Sequence, residues 1–421
     1  MKSNFKIALA VLMALFVLPL SAQKNRDLDN YRQPDKRGIN VFEAPKSTES
    51  TFDGVKVRIG GSSSLQFQAL NHENSGIVPL KEIGDNFNLA TANLDLDVAL
   101  YDGIRMHLRT YLSSRHHPEP YVKGGYIQFD KLEFIKEGFL EDFMQYATLK
   151  IGHMENNYGD AHFRRSDNAQ AIYNPFVGNL IMDAFTTEVG AELYYQRNGF
   201  IGMMGVTNGK LNQGVDNPGT GGASFIAKLG YDKQFDNDLR FRLTGSIYNT
   251  GFVRNSYLYS ADRAGSRYYL VLEDDEASAR SNFRSGRYNP GLRNQITAIM
   301  INPFVKYKGL EFFGTFETAS GKADSEAEER TATQFSTELI YRFGNDEKFF
   351  IGGRYNKVDA EDRSEGEIEI SRFQLGAGWF MTKNILAKFE YVNQKHDGYD
   401  TTSIFNDAKF NGIMFETVIS F

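Results

Sequence analysis

Catalysis needs particular side chains at particular spacings, and in this 421-residue chain few such patterns occur. It contains no Cys, which removes disulfides, thiolate metal sites, iron–sulfur ligation, a catalytic thiol and a lipid-bearing Cys. Gly205–Lys210 reads GVTNGK, one residue shorter than a phosphate-binding loop and followed by Leu211 where Ser or Thr would be needed. His116 and His117 with Glu119 resemble a metal pair, but adjacent residues on a strand point to opposite faces, and a solvated loop explains them better. No HExxH or GxSxG run occurs, and no Ser/His/Asp arrangement compels a nucleophilic triad. The reading therefore assigns no catalytic residue, no metal site and no cofactor. What remains is charge two or four positions apart, as in Arg240 and Arg242, Arg105 and Arg109, or Glu188 and Glu192. Such groups select by charge and size without a turnover step.

Residues two apart share a face only on a strand, so strands must position these charges. In Leu239–Tyr248, Leu239, Phe241, Leu243 and Ile247 oppose Arg240, Arg242, Thr244 and Ser246. Leu94, Leu96, Val98 and Leu100 alternate with Asn93, Asp95, Asp97 and Ala99, and Ile413 to Phe421 alternates in the same way. About sixteen such segments follow one another: 55–70, 88–101, 104–113, 122–130, 146–153, 187–196, 200–208, 223–232, 239–249, 295–307, 310–320, 331–343, 349–358, 368–380, 385–394 and 410–421.

A soluble sandwich hides its apolar face, whereas a transmembrane barrel turns it outward to lipid. Loop lengths separate the two. Connections after even-numbered segments are mostly short (102–103, 197–199, 308–309, 344–348, 381–384), and those after odd-numbered ones are long (71–87, 154–186, 209–222, 250–294, 395–409). Short inner turns alternating with long outer loops are what a bacterial barrel requires. The exception, 131–145, carries Leu132, Ile135, Phe139, Leu140 and Phe143 at the spacing of a short amphipathic helix. Aromatics at 14%, with 34 Phe and 22 Tyr, supply girdles at the membrane edges from Tyr194, Tyr195, Tyr231, Tyr307, Tyr341, Phe343, Phe349, Trp379, Phe380 and Tyr391. The fold class is thus all-β: a transmembrane antiparallel β-barrel of about sixteen strands with long extracellular loops and short periplasmic turns.

Three units follow. Residues 1–22 read as a signal peptide, with Lys2 and Lys6 before an apolar run and Ser21-Ala22 before the cut, so export through the Sec pathway is expected. After it no stretch is apolar enough for a membrane helix. Residues 23–54, polar and without period, read as a loosely packed periplasmic arm, and 55–421 as the barrel. Net charge of −6 argues against nucleic acid as a partner.

Two stretches carry a family resemblance. The terminal Phe421, closing an alternating strand, resembles the signal by which the barrel assembly machinery recognises outer-membrane proteins. Leu149–Phe185, running into Glu188-Val189-Gly190-Ala191-Glu192, resembles Bacteroidetes-type porins related to the phosphate-selective porin O and P family. The resemblance implies an outer-membrane location among lipid and lipopolysaccharide, passive diffusion of small hydrophilic solutes or ions, anions such as phosphate among them, and a homotrimer. The family's anion-selective members use an Arg ladder and a Lys cluster at the mouth. This chain has the Arg residues but acidic runs in its outer loops (273–276, 324–329) and no compact Lys cluster.

With polar residues facing inward, the wall is mixed, and the residues expected to line or constrict a water-filled pore are Arg105, Arg109, Glu188, Glu192, Arg240, Arg242, Arg354 and Arg372, with Arg164, Arg165 and Asp167 from loop 154–186 folding inward. Two alternatives stay open: a barrel enzyme acting on lipid or lipopolysaccharide, and a structural or adhesive barrel plugged by its arm or inner loops.

Overall fold

Sixteen strands hydrogen-bond to their sequence neighbours in the computed structural model, which describes residues 27–87, 91–113, 120–166, 170–211, 222–261 and 267–421. They are β1 (Lys56–Glu73), β2 (Thr91–Tyr101, extended by Asn86–Phe87), β3 (Ile104–Ser113), β4 (Tyr121–Phe129), β5 (Ala147–Glu155), β6 (Thr187–Arg197), β7 (Phe200–Thr207) and β8 (Ser224–Gln234). The second half is β9 (Leu239–Thr250), β10 (Gln295–Tyr307), β11 (Leu310–Lys322), β12 (Arg330–Phe343), β13 (Phe349–Asp362), β14 (Gly366–Thr382), β15 (Ile385–Asp397) and β16 (Lys409–Ser420). All pairings are antiparallel, and β1 closes the ring: Lys56–Ser64 pairs with β2 and Ser62–Glu73 with β16. Phe421 finishes the seam, its backbone exchanging bonds of 3.1 and 3.0 Å with Gly61. Tight turns fall where the chain supplies them. Asn198 (φ 52°) and Gly199 (φ 88°) both occupy the left-handed region that a two-residue hairpin demands.

Parity holds around the ring. Leu94, Leu243, Ile299, Leu339, Leu375 and Ile419 point outward and are exposed, while Asp95, Arg242, Glu317, Glu338, Gln374 and Glu416 point inward and are buried. Among the described residues no helix is long and apolar enough to cross a membrane. The outward apolar band of the closed barrel is its lipid-facing surface. At the short-turn end, Tyr341, Phe343, Phe349 and Trp379 stack in series on the outside, with centroids 5.9, 5.7 and 6.3 Å apart.

Three local expectations are corrected. Tyr194 and Phe380 are no part of a girdle: each shares the parity of the lumen and is buried there. The helix expected over 131–145 shrinks to Glu141–Met144, because Gly138 (φ 70°) and Leu140 (φ 54°) leave helical geometry. The arm is not loosely packed. Residues 27–54 cross the short-turn opening and return. Lys36 donates its backbone N–H to Lys383 O at 2.8 Å near β14–β15, and Lys46 Nζ reaches Asp130 O at 2.9 Å beside β4.

Candidate functional site

Two loops and the arm turn inward, and they decide which wall residues stay available. The described part of 156–186 runs from β5 across the lumen to the far wall. Its Asp160 carboxylate accepts from Arg242 Nε and Nη2 (both 2.8 Å), Thr244 Oγ1 (2.8 Å) and Lys228 Nζ (3.0 Å). Further along, Val177 and Gly178 donate backbone N–H groups to Glu390 at 2.7 and 3.1 Å, and Lys388 Nζ donates to Phe176 O at 2.8 Å. Phe176 rests in a notch of β14 that only glycine leaves open: a Cβ at Gly376 would lie 3.0 Å from its ring. The described part of 251–294 packs over this loop. Tyr259 and Tyr158 donate to Glu317 (2.7 and 3.1 Å), and Tyr268 donates to Glu390 (2.5 Å). Arg372 Nη1 holds Asn179 O at 2.6 Å. The apolar packing is therefore inside the barrel, where Ile181, Met182, Tyr259, Leu292, Val358 and Ile370 form one cluster.

This filling packs on β9–β16 and reaches round to β6–β8, and it leaves a cavity of about 190 Å³ against β3–β6. Its lining carries Arg32, Arg105, Arg109, Lys123, Lys150 and Arg165, with His107 and His162, against the carboxylates of Glu43 and Glu155. Several of the cations are braced. Arg109 pairs with Asp95 through two bonds of 2.7 and 2.9 Å, and Arg165 with Asp183 through 2.9 and 2.8 Å. Arg105 donates to Gln128 Oε1 at 2.7 Å and lies 3.6 Å from Asp97. Two are not neutralised at short range. Arg32 donates to carbonyls of Gly38 (3.0 Å) and Phe163 (2.9 Å) and lies 3.8 Å over the Tyr173 ring. Lys150 sits between the rings of Tyr126 (5.6 Å) and Tyr194 (4.6 Å). Among the described residues neither has an ion-pair partner. Burial lowers the pKa of the Arg32 guanidinium from its usual value, and buried cations short of counter-charge are what draws an anion.

The expected site residues fall into four places. Arg105, Arg109 and Arg165 meet in the cavity. Arg240 and Arg242, expected like them to line the pore, lie across the arm: Arg240 pairs with Asp232 at 2.6 Å, and Arg242 with Asp160 and with Glu43 at 2.8 Å. The strands β3 and β9 are not neighbours, which separates the two pairs. Arg354 and Arg164 both bind Glu338, at 2.8 and 3.2 Å, and with Arg372 they brace the inner loop. Glu188 accepts from Tyr248 (2.9 Å) and Thr207; Glu192 accepts from Asn157 N (2.9 Å) and Tyr194. Asp167 and the His116-His117-Glu119 stretch lie outside the described residues, as does the expected signal segment. Sequence reading missed Arg32, Glu43, Lys123, His107 and Tyr173. Arg32 and Glu43 sit in an aperiodic segment that gives no facing information; Lys123 on β4 shares the outward parity of Phe129 and reaches the cavity only through the register shift opposite Arg109 and Thr110, which no period announces.

Glu43 joins the arm to the wall. Its carboxylate meets Arg242 Nη2 at 2.8 Å and Lys228 Nζ at 3.3 Å, and accepts from Asn157 Nδ2 at 3.3 Å. Burial works against its charge, but Arg242 and then Lys228 overrule it and hold its pKa at about 2.

Sixteen closed strands, an outward apolar band and inward-folded loops define an outer-membrane-type β-barrel. No family model matches the chain, and no curated protein matches it. Solved structures do. An anion-selective porin from Comamonas acidovorans aligns with a TM-score of 0.53 at 10% identity, covering 87% of this chain and 100% of that one. The outer membrane channel DcaP of Acinetobacter baumannii gives 0.53 at 10%, covering 90% and 100%. OmpT, an outer membrane protein of Vibrio cholerae in its trimer form, gives 0.52 at 12%, covering 88% and 100%. At such identities the likeness is one of fold.

Proposed function

We propose that this chain is an outer-membrane diffusion channel that favours small hydrophilic anions and performs no chemistry on them. The observation that carries the reading is the eccentric cavity, where six Lys and Arg side chains face two carboxylates and where Arg32 and Lys150 keep their charge unneutralised at short range. A surplus of one sign between low-dielectric walls concentrates counter-ions and speeds their entry. The family resemblance of 149–192 supports the same direction and puts phosphate among the solutes to try, with a homotrimer as the assembly. Signal segment 1–22, arm 23–54, barrel 55–421 and constriction loop 154–186 are the division this reading uses, and Phe421 is its assembly signal.

Single-channel recording of the purified protein in a planar bilayer tests it. Ohmic steps with a reversal potential on the anion side in a salt gradient are expected. A cation-side potential refutes the anion preference, and silence from a folded barrel refutes the channel. The filled β9–β16 half and the arm across the opening favour a second reading, a plugged barrel, which predicts that silence.

A further inference from the structure

Phe42 and Glu43 stand where the basic cavity ends. Both line that cavity, and both also line a second, more open one of about 370 Å³ toward the short-turn ends of β6–β9, bordered by Gln196–Ile201, Asp232 and Arg240. The two spaces share only those two residues of their linings, so whatever moves from one to the other passes them. We propose that Phe42–Glu43 of the N-terminal arm is the septum of the pathway, and that Glu43 is its selectivity-determining residue for anions. The proposal rests on the diffusion-channel reading and moves the narrowest point from the inner loop alone to the arm.

The septum is held from several directions. The Phe42 ring lies 4.2 Å beneath the Arg242 guanidinium and meets the rings of Phe304 and Phe163 edge-on at 5.4 and 5.9 Å. Glu43 is clamped by Arg242 and Lys228 on neighbouring strands. Asn40, two residues before Phe42, donates to Glu311 at 2.5 Å, and its carbonyl accepts from Arg240 Nη1 at 2.9 Å. Charge around the septum is balanced: Lys228, Arg240 and Arg242 face Glu43, Asp160 and Asp232. Glu43 is the only one of the three carboxylates that also lines the basic cavity. An anion leaving that cavity therefore meets a fixed negative charge whose own cations are already engaged. Neutralising Glu43 leaves three cations against two carboxylates and turns a balanced site into a net positive one. Shortening Phe42 joins the two spaces.

The chain's lack of Cys makes a direct test available. Glu43→Cys, Phe42→Ala and the parent protein are each recorded in bilayers, folding being checked by heat-modifiable migration. Glu43→Cys is then exposed to a negatively charged methanethiosulfonate. The expected result is a reversal potential moved further to the anion side in Glu43→Cys, a stepwise fall in its current on reagent addition, and a larger step in Phe42→Ala. A silent parent with a conducting Phe42→Ala also supports the septum, as a closed one. A conducting parent whose step size, reversal potential and reagent response are unmoved in both variants overturns the septum and leaves the channel standing. Silence from all three folded proteins overturns both.

Discussion

Replacing Asp160 by Asn removes the carboxylate on which the inner loop hangs. Arg242 Nη2 and Lys228 Nζ converge on its Oδ1, and Arg242 Nε and Thr244 Oγ1 on its Oδ2, all at 2.8–3.0 Å. An amide placed there keeps one oxygen and, with its NH2 group on the Thr244 side where the hydroxyl can turn to accept, still sets a donor against Arg242 Nε. The site is fully buried, and stripping a buried ion pair of one partner costs about 3–5 kcal/mol. Glu43 and Asp232 remain beside Arg242, which puts the expected cost at the lower end, about 3 kcal/mol. The barrel wall does not depend on this contact, so the loss is local: undocking of the 156–166 stretch rises by about a hundredfold, since 1.36 kcal/mol is tenfold. Hydrogen–deuterium exchange of the detergent-solubilised protein reads it. Amides of this stretch, such as Phe163 N–H on Asp160 O, speed up by about two orders of magnitude, while those of β11–β15 keep their rates. Unchanged exchange in 156–166 would refute the assignment of Asp160 as the loop's anchor.

Acid should release the arm. Docked, Glu43 has a pKa of about 2 against 4.5 when free, so its contribution is complete above 4.5 and is lost as pH falls toward 2. Protease protection of 27–54 is expected to hold at pH 6 and to fail across that window; an arm equally protected at pH 2.5 contradicts the clamp. Trp379, the chain's single Trp, stands on the outer face in the aromatic stack. Its fluorescence is expected to be quenched by brominated lipid acyl chains and insensitive to aqueous iodide, and the reverse pattern would place that face in water. Lys150→Glu should shift the reversal potential toward cations without altering barrel migration, because Lys150 anchors no loop through any hydrogen bond among the described residues.

Strand order, number and facing were readable because a wall between lipid and lumen forces period 2 on every segment. The residues Arg105, Arg109 and Lys150 could be placed inward from parity alone. Parity places Tyr194 and Phe380 inward as well, against the girdle position that their aromatic type suggests. Tyr194 shares the lumen face with Glu192 two residues before it. Segments without period carried no such information. Nothing in 27–54 announces that Tyr31, Asn40 and Glu43 bind Asp97, Glu311 and Lys228, since each partner lies on a different strand. Loop 250–294 shows its length and its acidic run 273–276 in the sequence; its repeated Tyr and Arg, which bridge to Glu317, Glu390 and Asp183, are the available sign of an inward fold.

The arm's contacts also bear on the order of assembly. Its Lys36 bonds Lys383, and the Pro34 carbonyl accepts from Ser420 Oγ, a residue 386 positions later and next to the end of the chain. Ser420 is fixed only when β16 has met β1, so a segment that precedes every strand completes its contacts late. Contacts of such separation form late because the intervening chain must first be ordered. Docking of the arm thus marks a finished barrel, and its protection from protease is a timestamp for closure.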